Sequence, residues 1–470
     1  MKVRSLSALT IFLLILAAAP AFSQVCYLPQ YANTIACLPT RTADMNTFNV
    51  LINKNGAVYN GETELPAAVP LALGYQFASQ ISTAPSAATS AGYVFTFEKG
   101  ALSAKPADLG PLFSDLPQTI GRHRMYVGTS YQWMQFTRIG GKDIKSFPYY
   151  QALIDPDAGT DPTTGDTVSI EVWHENQASA SLKVHNVDTY VSYGITDRLE
   201  VSAVIPWSHV GFGVSTGCLA SDSSDLTING QTFCTYPVDT TALDEPGLTP
   251  LTGWYDVFFF NPGSESLKSK GIGDLTLRGK YEFIKEERQG LAFGLEYRLP
   301  TGDPLNLRGS GATGLRPFLA WGYNGRISPH ANIGFQYNGS SVNDVRDTID
   351  PSSGEFSNKL SASKLPNAFT ASAGADLALN RRLNVDADLL ERVFSNDGSK
   401  AFMANAAGLQ VPVAFSGASN KSTVVVGAKG KLADHFLVGV NLMIDATSNT
   451  GMSYKPSPVV TLSYDFGTTK

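Results

Sequence analysis

Long apolar runs are nearly absent from this chain. Beyond residue 23 no segment approaches the roughly 20 unbroken apolar residues that a membrane-spanning helix requires, so any crossing of a bilayer by the mature chain falls to strands. Charge is scarce as well, at 16% of 470 residues, and the formal net charge of −6 removes the electrostatic case for nucleic acid as a partner. Six histidines and four cysteines are thinly spread. With no CxxC spacing and no histidine near either cysteine pair, a metal centre is not expected. No cofactor is expected either: Gly309-Ser-Gly-Ala-Thr-Gly314 spells a dinucleotide fingerprint letter by letter, but no strand-then-helix frame surrounds it, and it reads as a glycine-rich loop.

The one apolar run, Leu6 to Ala19, follows Lys2 and Arg4 and precedes the small-residue site Ala21-Phe22-Ser23. This is the layout of a secretory signal peptide over residues 1–23, and Val25 before Cys26 argues against lipid attachment. In an exported chain the local cysteine pairs, Cys26 with Cys37 and Cys218 with Cys234, are expected to form disulfides that each close a short loop.

What the chain does have is alternation. Asp274 to Phe283 and, after a charged turn, Leu291 to Leu299 put Leu275, Leu277, Tyr281 and Phe283, then Leu291, Phe293, Leu295 and Tyr297, on one face. The other face carries Arg278, Lys280 and Glu282, then Glu296 and Arg298, a set that a soluble core does not normally bury. Lipid on one side and water on the other explains both faces. Similar stretches recur near 124–136, 184–193, 199–208, 315–323, 330–339, 367–379, 383–393, 422–432, 436–445 and 457–466, giving about twelve strands, an even number as single-chain outer-membrane barrels show.

Connections alternate in length as such a barrel demands. Short links at 194–198, 284–290, 324–329, 380–382 and 433–435 read as periplasmic turns, and 137–183, 209–272, 300–314, 340–366, 394–421 and 446–456 as outer loops. Aromatic residues gather at the expected interfaces: Trp133, Trp207, Tyr297 and Tyr337 at outer strand ends, Tyr193, Tyr281, Trp321, Tyr323 and Phe436 at inner ones. The expected fold is therefore all-β, a transmembrane antiparallel up-and-down β-barrel over residues 122–466 with a C-terminal tail at 467–470. Residues 24–121 lack the wall pattern and read as an N-terminal plug or periplasmic segment, with one hairpin strand at Tyr93-Val-Phe-Thr-Phe97.

Four stretches carry a family resemblance: Ile120-Gly-Arg-His-Arg-Met-Tyr-Val-Gly128, Thr189 to Ser202, Gly271-Ile-Gly-Asp-Leu-Thr-Leu-Arg-Gly-Lys-Tyr281 and Leu299-Pro-Thr-Gly-Asp303. The chain resembles the phenol-degradation outer-membrane channel family, itself similar in outline to the long-chain fatty-acid transporters. The resemblance implies location in the outer membrane of a Gram-negative-type cell and passage of small, aromatic or otherwise hydrophobic molecules. The last strand, ending at Phe466, resembles the aromatic-ended strand that such proteins offer to the outer-membrane assembly machinery. Implied partners are thus outer-membrane lipid, small-molecule solutes and that machinery.

Strand parity points Arg278, Lys280, Glu296, Arg298 and Arg316 into the lumen as one arc, basic overall, and Asp376, Asp386, Asp388 and Arg392 as another, largely acidic. Reflecting each hairpin about its turn sets Arg278 opposite Glu296 and Asp376 opposite Asp386, a like-charge pair that calls for a cation nearby. The two arcs would place a transverse field across a polar lumen. The loop 209–272, with the aromatic word Trp254-Tyr-Asp-Val-Phe-Phe-Phe260, is expected either to fold back into the pore or to form its own core. Histidines 123, 330 and 435 fall at periplasmic strand ends and 185 and 209 share the outward parity, so no histidine is expected beside a lumen serine and no hydrolase site is visible. Two functions follow: a passive or gated channel, or a structural or adhesive surface barrel that conducts nothing, with a lipid hydrolase a more distant third.

Overall fold

In the computed structural model of the chain, twelve antiparallel strands close into a barrel. They are β1 (Met125–Ile139), β2 (Thr167–Gly194), β3 (Leu199–Cys218), β4 (Thr276–Lys285), β5 (Gln289–Arg298), β6 (Gly314–Tyr323), β7 (Ile327–Asn338), β8 (Ala368–Asn380), β9 (Leu383–Phe394), β10 (Ser419–Ala433), β11 (Phe436–Asp445) and β12 (Ser457–Asp465). Each pairs with its neighbour in sequence, and β12 pairs with β1 through Val459↔Gln132 and Thr461↔Ser130, which closes the ring. The structure describes residues 114–466, apart from intervals between strands, and nearer the N-terminus residues 33–35 and 37–38 and the strands Thr47–Asn53, Val58–Tyr59, Tyr93–Glu98 and Ala101–Pro106. The signal segment 1–23, Cys26, His435 and the tail 467–470 lie outside the described residues, as do the side chains of Cys218 and Cys234.

Two-residue periodicity builds the wall. Along β4, Leu277, Tyr281 and Phe283 are exposed, whereas Arg278, Lys280 and Glu282 are buried. A helix-sized core could not satisfy that pattern, and a closed sheet with an apolar outer face does. Glycines on the inward face make room for rings on the facing strand. Gly128 lies opposite Tyr190 and Gly294 opposite Phe318, and a methyl group at these positions would come within 2.5 Å and 2.1 Å of the rings. Short turns are closed by side chains: Thr196 Oγ1 accepts from the amides of Arg198 and Leu199, and Asn380 Oδ1 from that of Arg382. Trp133, Trp207, Tyr297 and Tyr337 are exposed at the long-loop end and Tyr193, Tyr281 and Trp321 at the short-turn end.

The connections after β1 and β3 depart from expectation. The intervals 137–183 and 209–272 contain strand rather than loop alone: β2 runs for 28 residues and β3 for 20, and Phe147–Thr160 and Ser264–Ile272 pair with their distal halves. The cause is a swap of sides. Below His185 and His209 the outward residues Val187, Ile205 and Trp207 are apolar and the inward Asp188, Ser202 and Ser208 polar. Above them the inward residues are Leu182, Val184, Val210, Phe212 and Val214, all buried, and the outward ones are Ser181, Lys183, Gly211 and Gly213. Parity is unbroken while polarity inverts, as a strand leaving lipid for water requires.

Two other words find their place. Trp254–Phe260 pairs with Thr47–Asn53 and Gln231–Val238 in a five-stranded sheet, which ties the N-terminal region to the loop after β3. In the glycine-rich loop after β5, the Asp274 carboxylate accepts from the amides of Gly302 and Ser310, so a carboxylate of the chain itself fills the cradle the fingerprint seemed to offer.

Candidate functional site

Residues 114–120 form no regular element, yet they are almost entirely buried, because they run inside the barrel toward its short-turn end. Each is fixed by a lumen group. Ser114 Oγ donates to Asp388 Oδ1 at 2.8 Å. Asp115 pairs with Arg278 and lies 3.6 Å from Arg316. Lys280 Nζ donates to the carbonyls of Leu116 (3.0 Å) and Gln118 (2.7 Å), and sits 3.6 Å from Glu200. The amide of Ile120 donates to Glu200 at 2.9 Å, and Thr119 Oγ1 to the Asp197 carbonyl in the turn after β2 at 2.8 Å. Pro117 rests over Gly290 and Gly322, where an added β-carbon would come within 3.1 and 3.0 Å of its ring and press on it. Backbone polar groups of an irregular segment can be buried only when partners are supplied one by one, and the lumen supplies them.

Arg278 does sit opposite Glu296, with Nη2 to Oε2 at 2.8 Å, and Arg316 reaches the same carboxylate oxygen at 2.7 Å. Both guanidinium groups lie over the Phe318 ring, at 5.3 and 4.8 Å from its centre. Arg298 bonds Asn338 at 2.8 Å, and Arg392 lies half-buried on the inward face of β9. Asp376 does pair in register with Asp386, and all three aspartates of the second arc are buried.

The groups that face them are His330 and Lys429. His330 Nε2 lies 2.7 Å from Asp388 and Nδ1 3.4 Å from Asp376, and Lys429 Nζ is 3.9 Å from Asp386. This corrects the placement of His330, which lies on the inward wall, 2% exposed, rather than at the periplasmic rim. Its parity with Asn332 carried the signal, but a strand read as starting at residue 330 put it at the strand end, whereas β7 begins at Ile327. A serine is nearby, yet the order is Ser114 to Asp388 to His330, with the carboxylate in the middle. Both ring nitrogens face acceptors, so this histidine does not reach the Ser114 hydroxyl as a base. Asp115, Glu200 and Lys429 were also missed as lumen groups.

Successive residues of one segment therefore touch both arcs, Ser114 the acidic one and Asp115 the basic one. Nearer the long loops, Ile35 and Leu38 sink into an apolar chamber formed by the inverted inner face with Met134, Phe136, Leu182 and Phe212, and the Ile35 amide donates to Asn306 at 3.3 Å. The lumen is polar along the lipid-facing half and apolar above it, where a polar lumen throughout was expected.

Fold and lumen together define a transmembrane β-barrel occupied by part of its own N-terminal region. Residues 220–388 match the family model described as "Putative MetA-pathway of phenol degradation". No curated protein sequence matches the chain. Among solved structures, it is similar to an outer membrane channel from Pseudomonas putida F1 at 12% identity and a TM-score of 0.40, covering 74% of this chain and 98% of that one. It is similar to the CymD monoaromatic hydrocarbon channel at 11% and 0.30, covering 74% and 90%. To a FadL homologue of Pseudomonas aeruginosa the figures are 8% and 0.27, covering 73% and 90%. The barrel assignment rests on the strand register itself.

Proposed function

We propose that this protein is a gated outer-membrane channel for small, aromatic or otherwise hydrophobic molecules, closed by its own N-terminal region. The observation that carries the reading is the manner of closure. Residues 114–120 are held by ion pairs and single hydrogen bonds, contacts that can be broken and remade, rather than by continuation of the sheet. Above them the apolar chamber occupied by Ile35 and Leu38 offers an apolar solute a first stop from outside. The family match over residues 220–388, whose description names phenol degradation, is in keeping with an aromatic solute.

In this reading residues 24–121 are the plug, the leader 1–23 is removed on export, and disulfides Cys26–Cys37 and Cys218–Cys234 staple the plug's start and the largest loop. The short turns face the periplasm, β12 is handed to the assembly machinery, and the chain is not an enzyme. Arg278, Lys280, Glu296, Arg298, Arg316, Asp376, Asp386, Asp388 and Arg392 line the path. Their opposed arcs orient a polar or ionised group once Ser114 and Asp115 leave.

The filled lumen favours one other reading, a structural or adhesive surface barrel that never conducts. Swelling of liposomes carrying the purified protein in solutions of small solutes separates the two. The channel reading expects slow swelling that grows in Asp115→Ala, and a barrel that stays impermeable in both forms supports the adhesive one.

A further inference from the structure

The outward face at the line where polarity inverts carries a second feature. Three strands lie side by side there, Ser264–Ile272, β3 and β2, and their registers stack the exposed residues in rows. The lowest row is Ile272, Trp207 and Val187, all exposed and apolar. Directly above it stand Lys270, His209 and His185, and above those Lys268, Gly211 and Lys183. The row beyond is Ser266, Gly213 and Ser181. Rows on one face are separated by about 7 Å, so the cationic groups occupy a belt beginning just above the last apolar ring. No acidic side chain shares this face over the four rows, and Glu265 has the inward parity of Leu267.

The middle of the upper row is empty. A β-carbon built on Gly211 meets nothing within 4 Å, so the two lysines flank an open notch about two strand spacings wide, roughly 10 Å. The lower edge is rigid: His185 Nδ1 lies 2.7 Å from the Tyr131 hydroxyl, its ring stacks on Trp133, and His209 is 5.9 Å away centre to centre. Apolar residues that meet acyl chains, then aromatic rings at the interface, then a basic notch, follow the order of a lipid: tail, glycerol or sugar level, phosphate.

We propose that this notch binds the phosphate-bearing head of an anionic lipid in the leaflet at the long-loop end, with Lys183, Lys268 and Lys270 as its cationic ligands and Trp207 against the upper acyl chain. The site is on the barrel's outside and is independent of whether the lumen conducts. Lipid rather than free anion is the occupant because the notch opens sideways above an apolar wall, where only an amphiphile satisfies both levels at once.

The test is native mass spectrometry of the full-length protein in detergent, titrated with diphosphoryl lipid A, its dephosphorylated form, and inorganic phosphate. Diphosphoryl lipid A should be retained at one saturable site, with the dephosphorylated form and inorganic phosphate much weaker. The triple variant Lys183→Gln, Lys268→Gln, Lys270→Gln should weaken retention about a hundredfold. Gly211→Leu, which fills the notch and leaves every charge in place, should also weaken it. Arg326→Gln with Arg382→Gln, at the short-turn end, should not. Equal retention of the dephosphorylated lipid, insensitivity to both notch variants, or tight binding of inorganic phosphate would each overturn the proposal. The folded state of each variant is checked by its gel mobility without boiling.

Discussion

Lys280 is the most informative residue to remove. Its ammonium donates to two carbonyls of the plug, Leu116 and Gln118, and faces Glu200, with both side chains only 2% exposed. Lys280→Met keeps length and volume while deleting the charge. Breaking a buried pair by removing one partner costs about 3–5 kcal/mol, because the other charge is left buried without compensation. That cost falls on the closed state, since withdrawal of residues 114–120 lets water reach Glu200 and both carbonyls. The ratio of open to closed forms should therefore rise by about two to three and a half powers of ten. Hydrogen exchange at the amide of Ile120, whose acceptor is Glu200, reads that ratio. It should accelerate by the same factor, while the amide of Phe293, deep in the β5 ladder, should not change. Adding Glu200→Gln should restore much of the protection, because no buried charge is then orphaned. If Lys280→Met alters exchange at Ile120 less than about tenfold, within the scatter of local opening, the segment is held by something other than this latch, and the gating argument fails with it.

Other consequences are simpler. Gly194→Ala should cripple folding: its added carbon would lie 1.8 Å from the backbone carbonyl oxygen of Gly121, which cannot swing aside, and loss of the heat-resistant gel form reads this out. Leu38→Ala should destabilise the N-terminal insertion by about 2–5 kcal/mol, seen as faster exchange around residues 33–38 and faster liposome swelling with apolar solutes; unchanged exchange would mean that Leu38 is not an anchor. Leu319→Arg, at the lipid-facing middle of β6, should cost about 2–4 kcal/mol of folding stability in vesicles, measured by urea titration, against little for a substitution at exposed Arg326.

All of the wall strands could be read from the chain because a lipid face and a water face leave marks on alternate residues. Even two cross-strand pairs, Arg278 with Glu296 and Asp376 with Asp386, followed from folding each hairpin about its turn. What escaped was whatever the dyad does not encode. Residues 114–120 have no period, since their conformation comes from the partners the barrel offers, and nothing in Ser114-Asp115 announces that one contacts Asp388 and the other Arg278. His330 reads as a periplasmic strand end because it directly follows Pro329, whereas the strand begins three residues earlier, at Ile327. The distal halves of β2 and β3 read as loop because Leu182, Val184, Val210 and Phe212 are apolar where the lumen pattern below them is polar, so the alternation changes sense partway along a continuous strand.

That change of sense also gives a length. From Leu199 to Trp207 the outward face of β3 remains suited to lipid, and eight residues advance about 27 Å along the strand. At a tilt of roughly 40° the apolar band stands about 21 Å tall, close to the roughly 25 Å of outer-membrane barrels. Beyond Trp207 the strand runs on to Cys218 with its sides exchanged. A wall segment in water needs no apolar exterior, so the apolar residues are free to turn inward, but they do so stably only if water is kept from them. Ile35 and Leu38 supply that cover. On the proposed reading an apolar solute entering from the long-loop end would have to displace Ile35 and Leu38, and the polar latch at residues 114–120, just ahead of β1, lies below them.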